Sequence, residues 1–217
     1  MKRVLLLVLA SLALPAVASA QPGNYNGRPR GGGYYQQGPQ LAPGGFWDRG
    51  GRLVWGVGLG LGGMSSKDGP IECVNCDYNP VAVAVDAHIG GMLSPRLALM
   101  AELQGNVQTV EEQGGGEGTQ SLAQGALMFA AQYWLVPKVW IKGGIGFAHL
   151  SFNYSDYYGE FDEPIDDGAA FMVGAGIELL SSRDFALDLQ GRYIRGTYDG
   201  IDDSISSGTI GLGVSWY

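Results

Sequence analysis

The chain has 217 residues, with 13 lysines and arginines against 21 aspartates and glutamates, and a formal charge of −8. That acidity argues against a nucleic-acid partner, and no stretch after the first twenty residues is apolar for long enough to cross a bilayer as a helix. Thirty-seven glycines, spread mostly through short alternating segments, point toward strands.

Met1 to Ala20 opens with Lys2 and Arg3, runs apolar from Val4 to Leu14 and ends in Ala18-Ser19-Ala20. These are the three parts of a cleaved secretory signal. Residues 21–50 are rich in Gly, Pro, Gln and Tyr, have no sustained apolar period and are expected to form a disordered tail.

From residue 51 the pattern changes to a period of two, repeated eight times. The first strand, Arg52 to Met64, alternates Leu53, Trp55, Val57, Leu59 and Leu61 with glycines 56, 58, 60 and 62. The next six are expected at 81–92, 97–110, 120–134, 138–151, 169–180 and 185–197. The last, Ser204 to Tyr217, sets Ile210, Leu212, Val214 and Trp216 against small or polar residues. A terminal strand of this kind leaves an open edge unless it pairs with the first, and that pairing closes a barrel.

The apolar faces are nearly free of charge, while the other faces hold glycines and a few charges, too few for a solvated exterior. A lipid-facing wall around a small polar lumen fits this better than a soluble ligand-binding barrel. The connections alternate between tight turns (LSPR, LVPK, SSRD) and longer loops at 65–79, 111–118, 152–167 and 198–203, and these loops hold 15 acids against one base, Lys67. Short periplasmic turns and longer outer loops give the same layout. The expected fold class is therefore all-β, an eight-stranded antiparallel up-and-down transmembrane β-barrel.

The signal, the even number of alternating strands and the aromatic terminal strand together resemble the small outer-membrane β-barrels of Gram-negative bacteria, the OmpA/OmpX/OmpW-like group. The resemblance implies a place in the cell outer membrane among lipid and lipopolysaccharide, a monomer, and recognition of the C-terminal strand by the barrel-assembly machinery. It implies no cofactor. In that group the last aromatic usually faces lipid, whereas here Trp216, and not Tyr217, is in phase with Val214.

Three sets of residues are candidates for function. Asp86, His88, Glu102, Lys142, Glu178, Asp188 and Arg192 fall on the inward face. They form either a polar network that fixes the barrel or the lining of a narrow pore. Cys73 and Cys76 lie three residues apart in an exported chain, and a disulfide that staples a loop is expected. No metal-ligand set is legible, although the acidic loops have the oxygen chemistry that Ca²⁺ and Mg²⁺ prefer. Finally, His149 and Ser151 with downstream Glu163 resemble the His-x-Ser plus Glu layout of the lipid A deacylase barrels. Phe152 stands where those enzymes carry Asn. The sequence reading is a non-enzymatic structural or interaction barrel. A narrow passage for small hydrophobic molecules is its alternative, and the deacylase a third.

Overall fold

A computed structural model describes residues 41–73, 76, 81–113, 118–156, 160–198 and 204–217, and the side chains of 111–119 and 155–163 are not described. The signal and the tail as far as residue 40 lie outside the described residues. Eight long strands follow one another: Leu53–Ser66 (β1), Ala82–Ser94 (β2), Leu97–Gln113 (β3), Gly118–Val136 (β4), Val139–Asp156 (β5), Glu160–Ser181 (β6), Phe185–Tyr198 (β7) and Ser204–Trp216 (β8). Each pairs antiparallel with the next, and β8 pairs with β1 from Ser206↔Ser65 to Trp216↔Trp55. The eight long strands thus form a closed ring, as a wall in lipid requires.

Parity decides which face is which. Leu59, Val83 and Leu99 stand outside at 64%, 52% and 48% exposure, and Leu187 on the same phase is half-buried. Val54, Met92, Met128, Trp140 and Met172, on the opposite phase, are buried inside. At the turn end the seam is closed by Trp216, which stacks on Trp55 at 4.4 Å between ring centroids and meets Phe185 edge-on at 6.0 Å.

Two expectations need correction. The connection 152–167 is largely strand: Phe152 faces Glu163, Tyr154 faces Phe161 and Ser155 faces Glu160. Its aromatic residues and Ile165 favour a ladder, and the interspersed acids hid the alternation. At 22 residues β6 is about twice the 9–11 needed to cross, so this hairpin rises past the apolar band.

The second correction concerns residues 41–50, which composition placed in the tail. Leu41–Ala42 pairs with Phe46–Trp47 across a Pro43-Gly44 turn, with Gly44 at φ 87° and Gly45 N–H donating to Ala42 O. A positive φ after proline suits Gly. This small hairpin feeds Phe46 and Arg49, both buried, into the turn end of the barrel.

Candidate functional site

The lumen is bridged in three layers. In the middle, Glu102 on β3 is fully buried and accepts from two cations. Lys142 Nζ on β5 reaches its Oε2 at 2.9 Å, and Arg192 on β7 binds its Oε1. The other arm of Arg192 donates to Asp86 Oδ1 on β2 at 2.9 Å and to Gln190 Oε1 at 3.0 Å. Gln104 Nε2 also donates to Glu102. Two carboxylates therefore face two cations, and the cluster is formally neutral. Ionised groups taken out of water each cost several kcal/mol, about offset when partners and hydrogen bonds are complete.

The inward glycines belong to this arrangement. A Cβ at Gly58 would overlap the Asp86 carboxylate, one at Gly56 the His88 ring, and one at Gly176 the Trp140 ring. The space that bare glycines suggest in sequence is taken by large neighbours. A cavity of about 10 Å³ lies among Asp86, Gln104, Asn106, Gln190 and Arg192, room for about one water.

The turn-end layer is built on Arg49. Its guanidinium donates to Glu178 Oε1 at 2.8 Å and Oε2 at 3.3 Å, and to Ser182 O at 2.6 Å. It lies 3.8 Å over the Tyr217 ring. Trp134 Nε1 donates to the same Glu178 at 2.7 Å, and Trp47 Nε1 to Ser181 Oγ at 2.8 Å. Tyr217, out of phase with the lipid-facing residues, thus turns inward beneath the N-terminal segment. Between these two layers Trp140 Nε1 donates to Asp188 at 3.1 Å, and His88 Nε2 lies 3.3 Å from Ser215 Oγ. The loop-end layer joins Gln124 Nε2 to Tyr198 Oη at 2.9 Å and to Ile205 O at 3.1 Å, with Ser207 donating back to Gln124.

The seven inward residues named from sequence are therefore not one network. Asp86, Glu102, Lys142 and Arg192 meet in the middle, Glu178 meets Arg49, Asp188 meets Trp140, and His88 lies between Ser215 and the middle cluster, its Nδ1 4.0 Å from Asp86 Oδ1. Sequence reasoning missed Arg49 and the amides Gln104, Gln124 and Gln190. For Arg49 the signal was the break from Gly/Pro/Gln composition at Phe46-Trp47.

On the outer face His149 Nδ1 lies 2.7 Å from Asp167 Oδ1, its cross-strand neighbour, and both side chains are exposed. Ser151 is opposite Pro164, and the backbone of Glu163 is opposite Phe152. The Glu163 side chain lies outside those described. Cys73 and Cys76 form a disulfide. Among the described residues, no group of His, Cys, Asp or Glu is arranged to hold a metal.

Arg49→Ala would leave Glu178 buried beside Trp134 without its cation. Breaking a buried pair from one side costs about 3–5 kcal/mol, whereas an apolar replacement of both partners costs far less. Urea unfolding of the refolded protein in bilayers is expected to show that loss for Arg49→Ala, and most of it recovered by Arg49→Met with Glu178→Leu. A loss below about 1 kcal/mol, the worth of an exposed pair, would contradict the latch.

Comparison with known proteins agrees with this architecture. Residues 4–217 match the family model described as outer membrane protein beta-barrel domain. The solved structure of Ail, the attachment invasion locus protein of Yersinia pestis, in complex with a heparin analogue is similar at 14% identity and a TM-score of 0.51, over 76% of this chain and 99% of that one. A second Ail structure gives 11% and 0.50, over 77% and 99%. Neisserial surface protein A gives 13% and 0.49, over 76% and 95%. A search of curated proteins by sequence found no match. The chain belongs to the outer membrane protein β-barrel family, and it is a small eight-stranded barrel of the outer membrane.

Proposed function

We propose that this barrel is a non-enzymatic structural and surface-contact protein whose lumen is closed to ions. The observation that carries this reading is the set of three hydrogen-bonded layers across the lumen, anchored on Glu178, Glu102 and Gln124. A conducting path needs continuous water, and eight strands enclose little more than their own side chains. On this reading the seven inward residues serve rigidity. The signal is removed after Ala20, residues 21–40 form a periplasmic tail, the C-terminal strand engages the assembly machinery, and the barrel works as a monomer.

The surface contacts are assigned to the loop end, where the acids gather. Ail was solved with sucrose octasulfate, a polyanion. The acid-rich loops of this chain would repel such a ligand, and cationic partners or bridging divalent ions suit them better. The refolded full chain in planar bilayers is expected to give no discrete conductance steps. Stable, reproducible steps would favour the alternative of a narrow passage.

One observation favours a second reading. The Asp167–His149 pair has the orienting contact that a general base uses, and Ser151 shares the outward face of His149. Catalysis there would be ester cleavage at the membrane surface, with Asp167 in the role that sequence gave to Glu163. The main reading expects identical lipid A mass spectra from cells expressing the wild type or His149→Ala. Loss of an ester-linked acyl chain in the wild type alone would replace it with the enzymatic one.

A further inference from the structure

The segment 41–50 covers the turn end without joining the barrel ladders. Among the described residues its two short strands pair only with each other. Its backbone bonds stay within 41–52: Gly45 N–H to Ala42 O, Arg49 N–H to Trp47 O and Arg52 N–H to Arg49 O. Side chains hold it down instead. The Arg96 guanidinium lies 4.7 Å over the Phe46 ring, Trp47 bonds Ser181, and Arg49 bonds Glu178 and Ser182. Gly51, exposed and at φ 75°, leads from the segment to β1. A unit with so few backbone bonds to its surroundings opens at a lower free energy than the barrel beneath it.

The pocket under the segment is built by the barrel itself. Glu178 N–H donates to Lys138 O, Trp134 N–H to Arg96 O and Tyr217 N–H to Asp184 O. The Trp134 and Tyr217 rings meet edge-on at 6.5 Å. None of these contacts uses residues 41–50. The pocket presents a carboxylate, a ring face and the Ser182 carbonyl, and Arg49 engages all three. A flat, forked guanidinium fits that set, whereas a compact ammonium reaches fewer of its members at once. With Arg49 lifted away, Glu178 has no other cation in contact among the described residues. Asp188, one layer deeper, has the Trp140 indole and no ion pair among them.

We propose that this pocket is a guanidinium-binding site filled by the chain's own Arg49, and that the segment lifts to admit an arginine of a periplasmic peptide. A peptide is the fitting source because the resident ligand is itself an arginine in a short stretch that ends in Gly50-Gly51. Arg49 is then an internal competitor that keeps the site shut until a partner displaces it. The inference goes beyond the proposed function and rests on the turn end facing the periplasm. Lifting leaves Glu102 and its partners in place, so it holds whether or not the lumen conducts.

The test uses the full wild-type chain refolded in zwitterionic micelles, where the turn end is reachable. Chymotrypsin cuts after Phe46 or Trp47 once the segment has lifted. A ligand that binds only the lifted state raises its population by 1 + [L]/Kd. A blocked Gly-Gly-Arg-Gly-Gly peptide at ten times its Kd is therefore expected to speed cleavage about tenfold. The lysine counterpart should leave the rate nearly unchanged, and methylguanidinium should speed it as the arginine peptide does. Equal acceleration by the two peptides, or none by either, overturns the site. Acceleration by methylguanidinium alone overturns the peptide as its ligand, and cleavage only after the barrel unfolds overturns the lifting segment. Arg49→Ala should be cut faster than the wild type, and its melting midpoint should rise with methylguanidinium and not with methylammonium. Equal midpoints with the two cations overturn the pocket's preference. Should Arg49→Ala fail to fold, the wild-type comparison of the two peptides decides alone.

Discussion

The contact of Glu102 with Lys142 and Arg192 is the one on which the interior depends. Closing eight strands satisfies the backbone in lipid, but it leaves a tube whose inner wall must be filled. Filling it with oil is what a soluble barrel does. Here the middle is filled with charge, and Asp86, Glu102, Lys142 and Arg192, from four different strands, balance to zero. Any one of them removed leaves the buried cluster with one unbalanced charge, the costly case for an interior. The four strands are thus held in one register by a cluster that tolerates little rearrangement.

Glycine and tryptophan complete the arrangement. Bare positions at Gly56, Gly58 and Gly176 admit a histidine ring, a carboxylate and an indole. The indole of Trp140 in turn donates to Asp188, and that of Trp134 to Glu178. Arg49 closes the turn end by contacts to β6, to the β6–β7 turn and to the terminal Tyr217. Arg49 and Tyr217, far apart in sequence, thus meet at the turn end.

Much of this was legible in sequence because parity is a strict rule. A period of two assigns each side chain to lipid or lumen, and Leu59, Val83, Glu102 and Lys142 all stand on the expected sides. What parity leaves open is height. It placed seven polar residues inside without saying which would meet, because partner choice depends on stagger between strands that are not neighbours. The bulge at Leu150/Ser151 is a second case. It shifts the ladder by one residue so that Asp167 rather than Asp166 is opposite His149, while Glu163, to which the resemblance to the deacylase barrels pointed, is opposite Phe152. Composition failed at Phe46 to Arg49, since a short packed segment inside a Gly/Pro-rich stretch carries no periodicity.

The fold is shared by proteins with different roles, so function has to be read from the wall, the lumen and the rim separately. On the proposed function, the lumen of this chain is scaffold and the acidic loop end is the place of contact. The claim most exposed to test is that no water path runs past Glu102. Gln104→Cys would put the chain's one reactive thiol at the middle layer, since Cys73 and Cys76 are joined to each other. A small charged thiol reagent, added to the folded barrel in sealed vesicles and to the urea-unfolded chain, measures access directly. The account predicts modification only after unfolding; comparable labelling of the folded barrel would contradict it.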